Sequence, residues 1–480
     1  MTFFMKKGSR PGAKKRKLNG APKSGKKKGF EENEEILSDD SDVMGHDSDI
    51  ESHTDEDDEE TSDQKRIRLA KMYLEEIERE EKERGVEDEI RDSVNDRLMT
   101  DALEEKGKLF RTVASSLRPI FPSETRNLKD KLHNGSITSI ACSNDHLYTA
   151  SKNGGLIQWR LKDFSKIKKI VPGRKKDLKT HVGHCGTIHA LAVSTDGKYL
   201  ASGGEHDNIH IWDGNTMEHL YTFKGHRDMI SGLVFRINSH TLFSCSFDRS
   251  VKVWNLDEMT YVESLFGHQD KITGIDAGRR ERAVTSGGRD GSIRVWKIVE
   301  ESQLVFNRPS SSTDSVKLIN EEHFVTCGED GHISLWGLMK KKPLFTYQKA
   351  HGLDSINHQP MWISSIATLP QSDLIASGSR DGFIRLWRCT ANFRGLKEIQ
   401  TIPVTGFVNT LQFTPDGKTL LAGIGQEHRL GRWWRIKEAR NSILVLPLNF
   451  NEEEEVEDDI HEENNIHDVE MRSLSQLGLS

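Results

Sequence analysis

The sequence predicts an all-β fold, a seven-bladed β-propeller preceded by a disordered and then a helical N-terminal extension. Three observations support this prediction. A tryptophan-containing motif recurs along residues 125–450, residues 1–63 are a basic block followed by an acidic block, and only 34% of the 480 residues are hydrophobic while 30% are charged. This composition is typical of one ordered domain with solvated tails, and not of several globular domains.

The repeated motif is a polar residue followed by alternating apolar residues, with a tryptophan six positions after the first member. Four clear copies pair Asp248 with Trp254, Asp290 with Trp296, Asp330 with Trp336 and Asp381 with Trp387. Three weaker copies pair Asn153 with Trp159, His206 with Trp212 and Glu427 with Trp433. The tryptophans lie 40 to 53 residues apart, close to the period of about 40–45 for a four-stranded propeller blade. Residues 443–448 form a strand-like run that we expect to help complete the seventh blade.

Gly-His pairs at residues 183–184, 225–226 and 267–268 precede three of these copies. Together with the motif they make residues 125–450 similar to the WD40 family. That resemblance implies one buried hydrogen-bonded chain per blade, formed by His226, Ser244, Asp248 and Trp254 in blade 3 and by His268, Ser286, Asp290 and Trp296 in blade 4. Because the Asp/His/Ser set recurs at blade period, it is interpreted as structural and not as a hydrolase triad. His206 replaces the aspartate in blade 2, and blade 5 has no Gly-His pair.

The segments outside the repeat differ strongly in charge. Residues 1–29 hold eleven basic and no acidic residues, and residues 30–63 hold seventeen acidic and no basic residues. Such blocks cannot bury a core, so 1–63 is predicted to be a disordered tail. We expect Lys14, Lys15, Arg16 and Lys17 to act in nuclear import, with a solvated tail as the alternative. Ser38, Ser41 and Ser48 precede acidic residues and are candidate phosphorylation sites.

Residues 64–124 are predicted to be a helical extension and linker. Ile90, Val94, Leu98 and Ala102 recur every four residues and form an apolar stripe. Such a helix packs either on the folded domain or in a groove of a partner, and the sequence does not decide between them. Residues 451–480 form an acidic C-terminal tail with eleven acidic residues and one basic residue.

The predicted propeller, residues 125–450, carries a net charge of +11 within a chain whose total is −7. By similarity to WD40 propellers, one rim is expected to present a basic and aromatic surface of Lys152, Phe247, Lys271, Arg289, Lys317, Trp362, Arg380 and Phe407. Cations that hold phosphates and rings that stack on bases suit unpaired RNA. An acidic peptide suits the same surface nearly as well.

A second candidate surface is a basic segment in the first blade, with Lys168, Lys169, Arg174, Lys175 and Lys176. Lysines and arginines at this density could follow a phosphate backbone. A solvated loop explains the segment equally well.

Catalysis is not expected. No phosphate-binding glycine loop, metal-spaced His/Cys set or nucleophile elbow occurs, so no metal, cofactor or small-molecule substrate is predicted. The five cysteines are widely spaced and odd in number, which predicts buried thiols in a reducing compartment. No apolar run reaches membrane-spanning length, and the protein is expected to be intracellular.

Three stretches narrow the resemblance within the WD40 proteins: residues 69–74, residues 97–109 ahead of the first blade, and residues 286–296. They resemble the WD-repeat family specific to the U3 small nucleolar ribonucleoprotein (snoRNP). The resemblance implies nuclear and nucleolar residence and binding of U3 small nucleolar RNA (snoRNA) at its B/C box motif. It implies as further partners a kink-turn-binding core snoRNP protein and other proteins of the small-subunit processome, in pre-ribosomal RNA processing.

The alternative is a protein-only WD40 adaptor in the nucleus, such as a chromatin reader or a ubiquitin-ligase receptor. Ligase receptors of this type commonly have Trp-Asp-x-Arg after a blade. Here Trp212 and Asp213 are followed by Gly214 and Asn215, so the arginine is missing.

Overall fold

The computed structural model describes residues 110–451 except 175–180, 182, 207, 309–311, 355–356 and 391, together with residues 68, 71–73, 77, 79, 98–99 and 103. The chain divides into two compact units, Met1–Glu76 and Ile77–Ser480. In the first unit the described residues, 68 and 71–73, are helical. The predictions for Lys14 to Lys17, Ser38, Ser41, Ser48, Lys175, Lys176 and the acidic C-terminal tail lie outside the described residues, as does most of the predicted helical extension.

The second unit contains seven four-stranded antiparallel sheets, which are the blades of a β-propeller. The predicted seven-bladed all-β fold is therefore confirmed. Blade 1 comprises β2 (Ile137–Cys142), β3 (His146–Ser151), β4 (Leu156–Arg160) and β5 (Lys166–Ile170). Blade 2 comprises β6 (Ile188–Val193), β7 (Tyr199–Gly204), β8 (Ile209–Asp213) and β9 (His219–Phe223). Blade 3 comprises β10 (Ile230–Phe235), β11 (Thr241–Ser246), β12 (Ser250–Asn255) and β13 (Thr260–Phe266).

The next three blades repeat the same order, with the first strand of each at the central channel. Blade 4 comprises β14 (Gly274–Ala277), β15 (Arg282–Ser286), β16 (Ser292–Lys297) and β17 (Ser302–Asn307). Blade 5 comprises β18 (Thr313–Leu318), β19 (His323–Gly328), β20 (Ile333–Gly337) and β21 (Phe345–Tyr347). Blade 6 comprises β22 (Ile363–Thr368), β23 (Leu374–Ser379), β24 (Phe383–Cys389) and β25 (Leu396–Pro403).

Blade 7 is built from both ends of the propeller sequence. Its first three strands are β26 (Phe407–Phe413), β27 (Thr419–Gly425) and β28 (Ser442–Pro447), and its outer strand is β1 (Arg126–Leu128). β1 pairs antiparallel with β28, with Arg126 opposite Val445 and Leu128 opposite Ile443. This pairing closes the ring, so no blade is left with an unpaired strand at the joint. A single 3₁₀ turn, Pro122–Glu124, leads into β1.

The segment before β1, which we call the strap (residues 111–120), packs against blades 6 and 7. The side chains of Ala114, Leu117 and Ile120 are buried in the same cluster as the cores of these two blades. The backbone N–H of Ala114 donates to Asp373 Oδ1 at 3.0 Å. Ile120 exchanges two hydrogen bonds with the side-chain amide of Gln400. The strap therefore adds buried area and polar contacts to the region where the ring closes.

Apolar side chains between neighbouring blades form the core. Tyr148 of blade 1, for example, packs in one cluster with Ile188 and Trp212 of blade 2. Burial of this apolar surface supplies the main driving force for stacking the blades. In the described part of the chain, no helix is long and apolar enough to cross a bilayer.

A buried chain of polar side chains holds the turns of blade 3. Trp254 Nε1 donates to Ser244 Oγ at 2.8 Å, and that hydroxyl contacts His226 Nε2 at 2.7 Å. His226 Nδ1 lies 2.9 Å from Asp248 Oδ2. Each buried polar group in the series thus has a partner, which avoids the free-energy cost of an unsatisfied donor.

The corresponding chain in blade 4 contains Thr285, and the prediction of Ser286 is wrong. Trp296 Nε1 donates to Thr285 Oγ1 at 2.9 Å, and His268 Nε2 contacts the same hydroxyl at 2.8 Å. Ser286 Oγ is bonded to Thr273 Oγ1 instead. His268 Nδ1 lies 3.0 Å from Asp290 Oδ2, as the resemblance implies.

The reason for this shift is the length of the turn. Residues 287–291 separate β15 from β16, whereas residues 247–249 separate β11 from β12. Gly288, with a φ of +55°, occupies one of the added positions in a left-handed conformation that glycine accepts readily. The residue opposite the position two before the tryptophan is consequently Thr285 in blade 4 and Ser244 in blade 3.

Blades 5 and 6 carry variants of the chain. In blade 6, His351 contacts Asp381 and Ser377 at 2.8 Å each, and Trp387 donates to Ser377. An alanine precedes His351 in the sequence, so His351 does not belong to a Gly-His pair. In blade 5, Arg308 replaces the histidine and donates to both carboxylate oxygens of Asp330.

The blade 4 chain gives a direct stability prediction. Thr285→Val removes the hydroxyl that satisfies both Trp296 Nε1 and His268 Nε2, so it should lower the free energy of unfolding by about 2–4 kcal/mol. Ser286→Ala is the matched control and should cost about 1 kcal/mol or less. Urea unfolding of both variants measures the difference. A larger loss for Ser286→Ala than for Thr285→Val would contradict the assignment.

Candidate nucleic-acid interface

One end of the propeller, which we call the rim face, carries the turns between the second and third strands of the blades and the segments that lead into the first strands. Lys152, Phe247, Arg289 and Arg380 lie in such turns, and Lys271 lies in the segment that leads into β14. The fold therefore brings most of the predicted partner surface to one end of the ring.

The rim face is dominated by one long connection. Residues 426–441, here called the rim loop, join β27 to β28, whereas the equivalent turns in the other blades have three to five residues. Asn409 receives the backbone N–H of Arg429 at 2.9 Å and donates to the carbonyl of Glu427 at 3.0 Å. The side chain of Gln426 donates to the carbonyl of Ala439 at 2.7 Å. The start of the loop is thus hydrogen-bonded to β26, and its two ends are hydrogen-bonded to each other.

The rim loop presents two adjacent tryptophans to solvent. The side chains of Trp433 and Trp434 are 61% and 45% exposed. The guanidinium of Arg380 lies 4.1 Å from the centre of the Trp434 ring, and Trp433 lies 6.1 Å from Trp362. Exposed indole rings beside guanidinium groups are unusual on a soluble surface and are typical of binding sites.

The same loop adds positive charge around these rings. Arg432 is 78% exposed, and its Nε lies 2.9 Å from Glu427 Oε2. Arg435 donates to Gln426 Oε1 at 3.0 Å. Lys152 Nζ reaches the loop from blade 1 and lies 3.5 Å from the same Glu427 carboxylate. The Glu427 carboxylate therefore holds two cations, Lys152 and Arg432, near the exposed indoles.

Two further predicted cations lie on the rim face beside blades 3 and 4. Lys271 is exposed, and its Nζ lies 4.8 Å from the centre of the Phe247 ring. Arg289 is exposed, and within the described part of the chain its side chain has neither a hydrogen bond nor an ion pair. These residues give the rim an aromatic ring flanked by cations that are available to a ligand.

The side chain of Trp362 already makes contacts within the protein. Its Nε1 donates to Asp314 Oδ2 at 2.7 Å, and its ring lies 4.2 Å from that of His428. Arg380 is likewise partly committed, since it pairs with Asp354. Trp362 and Arg380 therefore help to hold the rim loop in place as well as contributing to the rim surface.

The prediction is wrong for two residues of the expected rim surface, Phe407 and Lys317. Phe407 is only 3% exposed and belongs to the apolar core, so it cannot stack on a ligand. Lys317 lies near the far end of β18 and pairs with Asp276 at 3.0 Å. There it lines a cavity of about 650 Å³ at the opposite mouth of the channel.

The error at Lys317 follows from blade 5's missing Gly-His pair. Without that landmark, the sequence alone does not show which residue of β18 is the first to face the core. The pairing of Thr313 with Gly328 shows that Thr313 occupies the position held by Ile230 in blade 3. The residues that flank it at the rim are Ser312 and Asp314.

The basic segment of blade 1 is largely a strand. Lys168 and Lys169 belong to β5, the outer strand of that blade, and Arg174 is exposed beyond it. Lys169 pairs at 2.7 Å with Asp130, whose side chain is only 4% exposed, and Lys168 donates to the carbonyl of Thr216. The segment therefore contributes to blade 1 and is not an inserted loop over its described part.

The seventh copy of the sequence motif is not a blade strand. Trp433 stands in the exposed rim loop, and the third strand of blade 7 is β28. The sequence held a signal of this difference. Arg432 occupies the position directly before the tryptophan, where the clear copies have Val253, Val295, Leu335 and Leu386, and a second tryptophan follows immediately.

The remaining titratable groups point to a structural role. The five cysteines are buried and form no disulfide, and burial raises the pKa of the Cys245 thiol to about 12. Thiols of this kind are inert at neutral pH. Among the described residues, no three His, Cys, Asp or Glu side chains are grouped to hold a metal ion.

The rim arrangement can bind a flexible polyanion whose bases are accessible. Exposed indoles offer stacking surfaces to unpaired bases, and the arginines and lysines around them attract phosphates.

Comparison with known proteins identifies the relatives of this chain. It is 50% identical over 444 residues to the mouse U3 small nucleolar RNA-interacting protein 2, covering 91% of this chain and 93% of the mouse protein. The chain belongs to the family of the U3 small nucleolar RNA-interacting protein 2. It is also 27% identical to the Saccharomyces cerevisiae Ribosomal RNA-processing protein 9, over 80% of this chain and 89% of the yeast protein.

A solved structure of RRP9 WD40 repeats has a TM-score of 0.66 and 48% identity, covering 69% of this chain and all of the other. The model for the WD domain, G-beta repeat, matches residues 175–213, 217–255, 259–297 and 347–388. These are blades 2, 3, 4 and 6. The family model does not match blades 1, 5 and 7. These blades depart from the repeat at Asn153, at Arg308 and in the rim loop, respectively.

The rim tryptophans give a binding prediction. Trp433→Ala and Trp434→Ala should each weaken the binding of a single-stranded RNA oligonucleotide by about 10-fold or more, because one stacked base is worth about 1–3 kcal/mol. Fluorescence anisotropy at fixed salt measures the affinity.

Tyr261→Ala is the matched control, because Tyr261 is an exposed aromatic residue on the outer strand of blade 3 and pairs with Trp254, at the end of β12 opposite the rim turn. It should leave RNA binding unchanged. Equal affinities for all three variants and the unmodified protein would rule out stacking at the rim loop.

Proposed function

We propose that the protein is a non-catalytic, RNA-binding scaffold component of the U3 snoRNP that binds U3 snoRNA through its rim face. The observation that carries the proposal is the rim loop, which presents Trp433 and Trp434 to solvent among Arg432, Arg435 and Arg380. The family supports the choice of RNA, since the mouse relative is named as interacting with U3 small nucleolar RNA.

In this proposal the two kinds of side chain have different roles. The indoles of Trp433 and Trp434 stack on bases that are splayed out of a helix, and the neighbouring arginines hold the adjacent phosphates. Lys271 and Arg289 extend the positive surface across blades 3 and 4, so that the RNA follows the rim face. Specificity then depends on unpaired bases, which fits a bulged B/C box motif better than a uniform duplex.

The wider role follows from the family and from the tails. We propose action in pre-ribosomal RNA processing for the small subunit, in line with the name of the yeast relative. A kink-turn-binding core snoRNP protein and other small-subunit processome proteins are the proposed partners. The nucleus and nucleolus are the proposed location, with import through Lys14, Lys15, Arg16 and Lys17 and phosphorylation of Ser38, Ser41 and Ser48.

The basic strip on blade 1 is a second proposed contact with RNA. Lys168 and Lys169 face solvent along β5, and Arg174 continues the strip. Their charges attract any phosphate backbone without reading sequence. Lys175 and Lys176 would extend the same strip.

Charge reversal on the rim tests the proposal. The triple variant Lys271→Glu, Arg289→Glu, Arg380→Glu should recover at least 10-fold less U3 snoRNA after crosslinking and sequencing of bound RNA, because each reversal replaces phosphate attraction with repulsion. Circular dichroism of the purified variant checks that the fold is intact.

The matched control reverses the same number of charges at the other end of the ring. Lys340, Lys341 and Lys342 are exposed between β20 and β21, and their change to Glu should leave U3 recovery near the level of the unmodified protein. Recovery of protein partners without a dominant small nucleolar RNA would instead support the protein-only adaptor. Unchanged U3 recovery in the rim variant would overturn the rim assignment.

A further inference from the structure

Beneath the rim loop the central channel contains a cavity of about 120 Å³. First strands of the blades supply its wall, and Arg429 of the rim loop supplies its cover. Since a water molecule occupies about 30 Å³ of liquid volume, the space fits a few waters or one tetrahedral oxyanion.

Arg429 brings an uncompensated positive charge to this cavity. Its Nε is shielded from solvent and has no hydrogen-bond partner, and within the described residues its guanidinium takes part in no ion pair. Burial lowers the pKa of Arg429, but a guanidinium remains protonated at neutral pH. An unpaired buried charge is unfavourable unless another group completes it.

His189 lines the same cavity and has an unused ring nitrogen. Its Nδ1 is buried without a hydrogen-bond partner. Burial, and then the charge of Arg429, lower the pKa of His189 to about 4. The ring is therefore neutral at pH 7 and can donate one N–H into the cavity without adding a second charge.

The neighbouring carboxylates do not complete the site. Asp314 is the acidic group whose charge acts most strongly on Arg429, but its oxygens accept hydrogen bonds from Ser312 and Trp362. At the other end of the cavity, Asp276 pairs with Lys317 at 3.0 Å. Arg429 is thus the cation in the described cavity wall that still lacks an anion.

Three hydroxyls of the wall are already used within the protein. Those of Ser231, Thr273 and Ser364 donate to backbone carbonyls of neighbouring blades. Ser315 and Thr410 add further hydroxyls to the wall, while Arg429 and His189 supply the donors at its rim end.

We propose that this cavity binds a free tetrahedral oxyanion, with inorganic phosphate as the chemical type. The fork of Arg429 holds two oxygens, as guanidinium groups do with phosphate, and His189 Nδ1–H donates to a third. Leu430 and Arg429 cover the channel at its rim end, so an RNA phosphate on the rim face could enter only if the rim loop moved. A free ion can reach the cavity from the opposite mouth of the channel.

The bound ion also has a consequence for RNA, and this part rests on the proposed function. Arg429 precedes Trp433 and Trp434 in the same loop, so an ion that fixes Arg429 restricts the loop that presents the indoles. Phosphate should therefore strengthen RNA binding at constant ionic strength, although phosphate ordinarily competes with RNA for cationic surfaces.

Isothermal titration of the full chain with inorganic phosphate, against chloride at equal ionic strength, tests the site. The expected result is saturable binding of one ion per chain. Arg429→Met should weaken that binding by about 10-fold or more, since it removes hydrogen bonds to a charged ligand. His189→Leu should weaken it less while keeping the guanidinium. Arg227→Met, at an exposed arginine next to His226, is the matched control and should bind phosphate normally.

Thermal unfolding in phosphate-free buffer adds a second readout that does not depend on RNA. Removing an uncompensated charge should leave the Tm of Arg429→Met equal to or above that of the unmodified protein, and phosphate should raise the Tm of the unmodified protein only. Absence of one-to-one binding, equal binding by Arg429→Met, or a marked fall of its Tm without phosphate would overturn the proposal. The last result would mean that Asp314 or water already balances the charge.

Failure of the proposed function is distinguishable, because phosphate binding is measured without RNA. If the site binds phosphate and RNA affinity does not respond to it, the link to the rim loop is wrong and the site stands. If the chain binds no RNA at all, the titration with phosphate still decides the cavity.

Discussion

The pairing of β1 with β28 is the interaction on which the rest of the structure depends. β28 is the third strand of blade 7, and β1 covers its outer edge through three residue pairs between 126–128 and 443–445. A propeller whose last blade lacked this strand would expose a sheet edge and lose the contact that holds its two ends together. The strap reinforces the joint, because Leu117 and Ile120 bury their side chains with the core of blades 6 and 7.

Ring closure also determines what the rim loop can do. The loop leaves β27 and returns in β28, so both of its ends are fixed only while β28 is held between β27 and β1. Blade 7 dispenses with the buried tryptophan that stabilises other blades, and its connection is free to be long. Blade 7 lacks a buried polar chain of this kind, and it is stabilised instead by the pairing of β1 with β28 and by the packing of the strap. Its tryptophans are therefore available to a ligand.

The sequence predicted the blades well because their spacing has a physical origin. Each buried tryptophan donates to a hydroxyl one strand away, so it must recur once per blade, as Trp254 and Trp296 do. The same spacing was misleading at Trp433, where the distance from the first motif residue is right but Arg432 replaces the apolar residue that precedes the tryptophan in the clear copies. Thr285 was missed because turn length varies between blades, and His351 was missed because its role does not require the glycine before it.

The candidate site was predictable only in part. Lys271, Arg289 and Phe247 were found because short turns keep their register with the motif. Phe407 and Lys317 were misassigned because an apolar or cationic side chain can face the core, the channel or solvent, and the neighbouring strand decides which. No periodic signal could place the rim loop, because its conformation follows from contacts with Asn409 and Asn134 that are distant in sequence.

The central claim is that the rim loop of blade 7 is the surface that contacts RNA. Ultraviolet crosslinking of the full chain to U3 snoRNA, followed by mass spectrometry of the crosslinked peptides, tests it most directly. The account predicts crosslinks within residues 426–441, with Trp433 or Trp434 among the modified residues. Crosslinks confined to the basic residues 1–29 or to the outer strand of blade 1, with none in the rim loop, would contradict it.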